Sequence, residues 1–252
     1  MEISRENQDP VKKNVRIYWN ERSKTFDQDV GHGADHHECQ LWKNQLRTII
    51  GDDKKDVLDF GTGTGMIAIN LAELGHSVTG IDLCEEMLDI ANRKAESKDL
   101  SIRFLLGDAE NPEFPDRMFD VVICRHLLWT LPHPDVAIRE WSRICRPGGV
   151  IIAIDGHQEP KDYFHHSDEK DESEKSDQEK LWEQTYSKEI TMQLPNGDQL
   201  TIESLKELFT TNGLGDVQSK NLKDIAEYHQ RLHSASDHER QHEVNIIWGT
   251  VQ

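Results

Sequence analysis

The chain has 252 residues, enough for one sizeable α/β domain with additions and too few for two full ones. At 35% hydrophobic and 30% charged it falls on the polar side of soluble proteins, and no apolar run reaches the length of a membrane span. Against 29 Lys and Arg stand 47 Asp and Glu, and the resulting charge of −18 repels phosphate backbones and anionic membranes, so nucleic acid and lipid surfaces are poor partners.

Residues 11–27, "VKKNVRIYWNERSKTFD", predict a helix with Val15, Tyr18, Trp19 and Arg22 at helical spacing. After the loop-like "VGHG", Asp35 caps a helix running to about Ile49. A strand–helix alternation then begins. Strands are expected at Val57–Phe60, Ser77–Ile81, Ile102–Leu106 and Phe119–Cys124, and helices at Met66–Leu74, Glu85–Ser97 and Pro134–Cys145. "RPGG" is read as a turn into a strand at Val150–Ile154. Such repeated units make a parallel sheet covered on both faces.

After Asp155 the character changes. Ser167–Lys180 holds seven acids and three lysines, a solvated and flexible insertion by composition, with ordered structure expected again from Leu181. "LPNGDQL" carries an Asn-Gly turn, and Thr201 caps a helix that stops at Gly213. "GDVQSKNL" and "VNIIWGTV" read as two last strands, joined without a full crossover helix and therefore antiparallel at a sheet edge. The four cysteines, Cys39, Cys84, Cys124 and Cys145, are scattered without a CxxC, and the N-terminus lacks the apolar core of a signal peptide. Both fit a cytoplasmic protein with reduced thiols.

The informative stretch is "VLDFGTGTGMIAINLAELGHSVTGIDL", a strand, a glycine turn, a helix and a second strand ending in an acid. No Lys-Ser or Lys-Thr follows the glycines, so it is not a P-loop. Gly61 and Gly63 fit the first two positions of a dinucleotide fingerprint, but Met66 fills the third, which weakens an NAD reading. Asp59, inside the first strand, would repel a pyrophosphate and suits a cationic ligand. Asp82, ending the second strand, can accept both hydroxyls of an unphosphorylated ribose. Asp108, past the third, can accept from an adenine amino group. Three acids at successive strand ends, at the carboxyl edge where α/β sheets bind ligands, describe S-adenosylmethionine.

"VLDFGTGTG", "GIDL", "GDAE", "FDVVICRHLLWTLPHP" and "RICRPGGVIIAIDG", in this order and spacing, resemble class I (Rossmann-like) S-adenosylmethionine-dependent methyltransferases, and among them the small-molecule branch that includes quinone-biosynthesis methyltransferases. "YWNERSKTFD" with "GHG" resembles the N-terminal lid of many members. The resemblance covers residues 16–155 well. It implies an α/β fold: a Rossmann-like seven-stranded mixed sheet with helices on both faces, the last strand antiparallel, and an N-terminal helical lid. The expected organisation is a lid over 1–50, a cofactor-binding core over 51–156, the acidic insertion over 157–180, and completion of the same domain over 181–252.

Carried over by resemblance, Asp59, Gly61 and Gly63 hold the methionine end, with Thr62 standing where the family often has Cys or Ala. Asp82 and Leu83 take the ribose and adenine face, Asp108 and Ala109 the adenine, and Arg125 lines the methionine side. Tyr18 is a candidate contact from the lid. His126, in the loop after the fourth strand, is the candidate general base, with a plain pocket wall as its other reading. Trp129 is packing or pocket lining. His32, His36, His37 and Cys39 cluster in "GHGADHHEC", but glycine separates them and no second ligand pair matches, so no metal is expected. The activity implied is methyl transfer to O, N, S or C of a small molecule, with S-adenosylhomocysteine as product. Two alternatives remain open: an NAD(P)-dependent oxidoreductase, or a non-catalytic S-adenosylmethionine-binding partner protein.

Overall fold

The computed structural model describes residues 9–29, 35–155, 175–197, 200–232 and 243–252. Seven strands form one sheet: β1 (Asp56–Phe60), β2 (Ser77–Asp82), β3 (Arg103–Leu106), β4 (Phe119–Arg125), β5 (Cys145–Ile154), β6 (Leu214–Asn221) and β7 (Asn245–Val251). Their spatial order is β3-β2-β1-β4-β5-β7-β6. The first five pair in parallel, and β7 runs antiparallel to both β5 and β6. The last strand is thus inserted inside the sheet, and β6 rather than β7 forms the edge.

Successive residues of the central strands feed opposite faces, as the pleat requires. Leu58, Phe60, Val122 and Cys124 pack with α5 (Pro134–Ile144) and α8 (Ile202–Thr211), where Phe60 stacks on Trp141 at 4.8 Å. Val57, Val121 and Ile123 pack on the other face with α2 (His36–Ile50), α3 (Met66–Glu73) and α9 (Lys223–Leu232). Burial on both faces explains why these strands read as unbroken apolar runs. A third apolar cluster joins α1 (Pro10–Phe26) to Tyr186, Ile190 and Leu194, beside α6 (Asp177–Thr185) and α7 (Lys188–Thr191). The remaining helix, α4 (Glu85–Ser97), packs on α1 and β3. Among the described residues no helix is long and apolar enough to cross a membrane.

Three expectations are corrected. The strand read as starting at Val150 starts at Cys145, because Cys145 pairs with Phe119 and residues 146–149 then bulge before Val150 meets Val121. The "PGG" glycines serve that bulge: Gly148 has φ +78°, and a Cβ on Gly149 would sit 2.7 Å from the Asp120 carbonyl. The last two strands pair antiparallel at the edge as expected, but the connection expected to lack a full crossover helix carries α9, with Ile225 and His229 buried. Ordered structure, expected from Leu181, is present in α6 from Asp177, where Ser176 and Glu179 form a reciprocal capping box. The rest of the acidic stretch, His32, and part of the Asn-Gly turn lie outside the described residues.

Candidate active site

The carboxyl ends of β1, β2, β4 and β5 open into a cavity of about 510 Å³. Its floor is the glycine turn. Gly61, Gly63 and Gly65 have φ of +61°, +54° and +85°, where L side chains are strained. A Cβ on Gly61 would also meet Leu127 at 3.0 Å. The turn is stitched to β2 by the Thr62 N–H, which donates to the Ile81 carbonyl at 3.0 Å. The Thr62 hydroxyl donates to Asp59 Oδ2 at 2.7 Å. Gly80, the β2 partner of Asp59, makes room for that hydroxyl, since a Cβ there would lie 2.7 Å from Thr62 Oγ1.

Asp82 orients the same turn. Its Oδ2 accepts from the Gly63 N–H at 2.8 Å and its Oδ1 from the Cys84 N–H at 2.9 Å. Burial pushes its carboxyl up against the pull of those bonds. Asp59 is buried more deeply, and burial, with Asp82 nearby, pushes it up to about 7 despite the Thr62 bond. Leu83, Asp108 and Ala109 continue the wall. Asp108 Oδ1 accepts from the Glu110 N–H at 2.9 Å, while its Oδ2 lies 2.7 Å from Lys12 Nζ.

The roof is α1. Lys12, Val15, Trp19, Arg22 and Phe26 recur at helical spacing and, with Tyr18, all face the cavity. Both ends of the helix are tied down. Lys12 bridges Asp108 and Glu110. Burial opposes its charge, but bonds to the two acids outweigh it and raise the ammonium's pKa. At the other end Asp27 accepts from Thr64 Oγ1 at 2.6 Å and pairs with Lys94 at 2.7 Å. Arg22 is engaged by Asp29. Tyr18 packs edge-on against Trp19, Trp182 and Tyr186.

Arg125, ending β4, lies over the Trp42 ring at 5.1 Å and donates to Met66 Sδ at 3.6 Å. Burial pulls its pKa down to about 10, against the nearby charges of Glu38, Asp59 and Asp155. Glu38 is held beneath it by Trp42 Nε1 at 3.1 Å and His229 Nε2 at 2.9 Å. His126 follows, with φ +52° and its N–H donating to the Ile154 carbonyl at 3.1 Å. Its Nδ1 is 3.9 Å from Asp155 Oδ1. Loss of water around the imidazole and then the Arg125 charge push its pKa below the usual value, with Asp155 working the other way, and since the side chain is 49% exposed the first effect is only partial.

Every residue singled out for the cofactor or as base therefore lines one cavity: Asp59, Gly61, Thr62, Gly63, Asp82, Leu83, then Asp108, Ala109, Arg125, His126 and Tyr18. Trp129 lines it too. His36 and His37 stand apart, exposed on α2, with His37 against the Tyr228 ring. Among the described residues no group of three or more His, Cys, Asp or Glu is placed to hold a metal. Sequence reasoning missed Lys12, Asp155 and Trp182. Asp155 was within reach, since it follows β5 as Asp108 follows β3 and as Asp82 ends β2.

Comparison with known proteins gives this cavity a context. Residues 58–153 match the family described as "Methyltransferase domain". The chain is 29% identical over 157 residues to an uncharacterized methyltransferase, YcgJ, of Bacillus subtilis, covering 62% of this chain and 57% of that protein. It is 38% identical over 112 residues to a demethylmenaquinone methyltransferase of Thermus thermophilus, covering 44% and 51%. The matches thus span little more than half the length of these relatives. In fold it is similar to the magnesium protoporphyrin IX methyltransferase of Synechocystis, with TM-score 0.63 and 16% identity over 99% of this chain and 100% of that one. Matched segment, strand order and fold likeness point the same way: residues 58–153 resemble a methyltransferase domain, set in a sheet of the order seen for the whole chain.

Proposed function

We propose that the chain binds S-adenosylmethionine in this cavity and transfers its methyl group to a small molecule. The observation that carries the reading is the set of three carboxylates in one cavity, Asp59 and Asp82 bonded to the glycine turn and Asp108 on the same lining. The same set argues against a nicotinamide dinucleotide. Asp82 takes the Gly63 N–H that a pyrophosphate would need, and Asp59 puts a second acid beside it. The lining cations Lys12 and Arg22 already face carboxylates. The Thermus thermophilus relative, by name a demethylmenaquinone methyltransferase, supports a small-molecule acceptor. Free thiols at Cys39, Cys84, Cys124 and Cys145 support a reducing cytoplasm as its setting.

When bound, the cofactor supplies an activated methyl group on a sulfonium, so the protein needs little acid–base power of its own. Asp59 and Arg125 offer one acceptor and one set of donors for the ammonium and carboxylate of the methionine end. Asp82 offers acceptors for ribose hydroxyls, and Leu83 and Ala109 an apolar slot for the base. The α1 roof keeps water from the reacting atoms. Holding nucleophile and methyl in line supplies up to roughly 7–11 kcal/mol of the barrier. His126, on the cavity wall with its pKa shifted down, can take a proton from the nucleophile. The test is incubation of the full chain with methyl-labelled cofactor and a small-molecule extract. Label in the low-mass fraction is expected. Cofactor binding with no transfer into any fraction would contradict the activity and favour a non-catalytic binding protein.

A further inference from the structure

The walls of the cavity beyond the glycine turn combine two features that recognise one kind of group. Trp19 and Trp182 stand at 83° and 76° to Tyr18, with centroids 5.0 and 5.4 Å away, and Trp129 lies 5.8 Å from Trp182. All four line the cavity, where Trp129 and Trp182 are tilted 35° to each other and Tyr18, Trp129 and Trp182 also pack on Tyr186, so the wall presents a continuous aromatic surface. Ring faces carry negative charge density and attract cations. The same cavity is lined by Asp155, only 7% exposed, which follows β5 and lies 3.9 Å from His126 Nδ1. Each cation of the lining already has an acid beside it: Lys12 has Asp108 and Glu110, Arg22 has Asp29, and Arg125 has Glu38, Asp59 and Asp155 around it.

We propose that the methyl acceptor is an amine, which enters as an ammonium ion and is held between the aromatic walls and Asp155. This rests on the methyltransferase reading above and narrows it. An acceptor bearing a carboxylate or phosphate would meet Asp155, with Lys12 and Arg22 paired to acids of the chain and Arg125 given to the carboxylate of the methionine end. A neutral alcohol could donate one hydrogen bond to the carboxylate but brings no charge to the carboxylate or the ring faces. An ammonium ion gains from both. The His126 imidazole takes one proton from the ammonium and passes it to water. The freed nitrogen lone pair then forms a bond to the methyl carbon, while the carbon–sulfur bond breaks and leaves its pair on sulfur. The methylated nitrogen carries the positive charge that the sulfonium loses, so the walls that welcomed the substrate also tolerate the product.

The test is calorimetry on the full chain, first with S-adenosylhomocysteine alone. With that compound saturating, a graded series of primary and secondary amines, from one to two rings in size, is titrated beside the matching alcohols and carboxylates. At least one amine is expected to bind tenfold or more tightly than both its counterparts. Asp155→Asn, and separately Trp182→Leu, should cut that preference about tenfold while leaving S-adenosylhomocysteine affinity unchanged, which also reports that the variants are folded. Binding of S-adenosylhomocysteine without preference for any amine, or a preference indifferent to both variants, overturns the amine assignment and leaves the cofactor reading standing. Failure of S-adenosylhomocysteine itself to bind overturns both.

Discussion

Lys12 Nζ lies 2.7 Å from Asp108 Oδ2, joining the first helix to the end of the third strand across 96 positions of chain. The same ammonium reaches Glu110, whose side chain is 4% exposed. Removing one partner of a fully buried ion pair costs about 3–5 kcal/mol, and this partly accessible cluster should fall below that range. Lys12→Met is therefore expected to destabilise the protein by roughly 2 kcal/mol and to loosen α1 over the cavity. Urea unfolding gives the first quantity, and the dissociation rate of S-adenosylhomocysteine, expected to rise, gives the second. A variant as stable as the parent with an unchanged rate would contradict the latch.

Asp59 carries a pH signature. Its carboxyl is raised from 3.8 to about 7, so between those values the folded protein holds a proton that the unfolded chain has lost. Stability should fall as pH rises through this window, by as much as roughly 4 kcal/mol. Asp59→Asn, which keeps an acceptor for Thr62, should remove the fall. Urea unfolding at pH 4.5 and about pH 7.5 decides it, and equal slopes for parent and variant would refute it. A cofactor ammonium placed beside Asp59 would favour the charged carboxylate, so cofactor binding near pH 7 should release protons, and the variant should release fewer.

For Asp82, folding and binding are tied together. Its oxygens accept from Gly63 and Cys84, and hydrogen bonds to charged groups contribute roughly 1.5–3 kcal/mol each. Asp82→Ala should lower both stability and S-adenosylhomocysteine affinity, the latter at least tenfold. A folded variant with parental affinity would remove Asp82 from the ribose site.

His126 is held at φ +52°, a conformation costing about 1–3 kcal/mol for a residue with a side chain. His126→Gly should therefore stabilise the protein by up to about 1 kcal/mol while lowering turnover by roughly 10²–10⁴ if the imidazole is the base. Thermal unfolding and label transfer, read on the same preparation, separate the two effects. Stabilisation with full turnover would leave His126 as a pocket wall.

His76 is 6% exposed, and neither ring nitrogen has a hydrogen-bond partner among the described residues. Burial, and then the Lys55 charge, depress its pKa. The unfolded imidazole takes a proton near 6.5 that the folded one resists, so the His76 contribution to stability should fall as pH drops below that value, opposing the Asp59 contribution. His76→Leu should flatten this acid limb in urea titrations between about pH 5 and 7.5. An unchanged limb would assign the acid sensitivity elsewhere.

Much of the site was legible in the sequence because its determinants are local. Asp59, Asp82 and Asp108 each stand a fixed step from an apolar run and a glycine or turn, and the strands put them side by side. What escaped depends on distant partners. The role of Thr62 needs Gly80 opposite, and Lys12 needs Asp108 and Glu110 far along the chain. The α9 helix buries His229 against Glu38, 191 positions away, which spoils its apolar pattern. β5 starts early because Cys145 finds Phe119, a pairing that no window around "RPGG" contains.

The most direct test of the central claim is calorimetric titration of the purified chain with S-adenosylhomocysteine, with NADH run in parallel. The three strand-end acids predict saturable one-site binding of the first, weakened by Asp82→Ala, and no binding of the second. Binding of NADH alone would mean that the glycine turn serves a dinucleotide and that Asp59, Asp82 and Asp108 have another task.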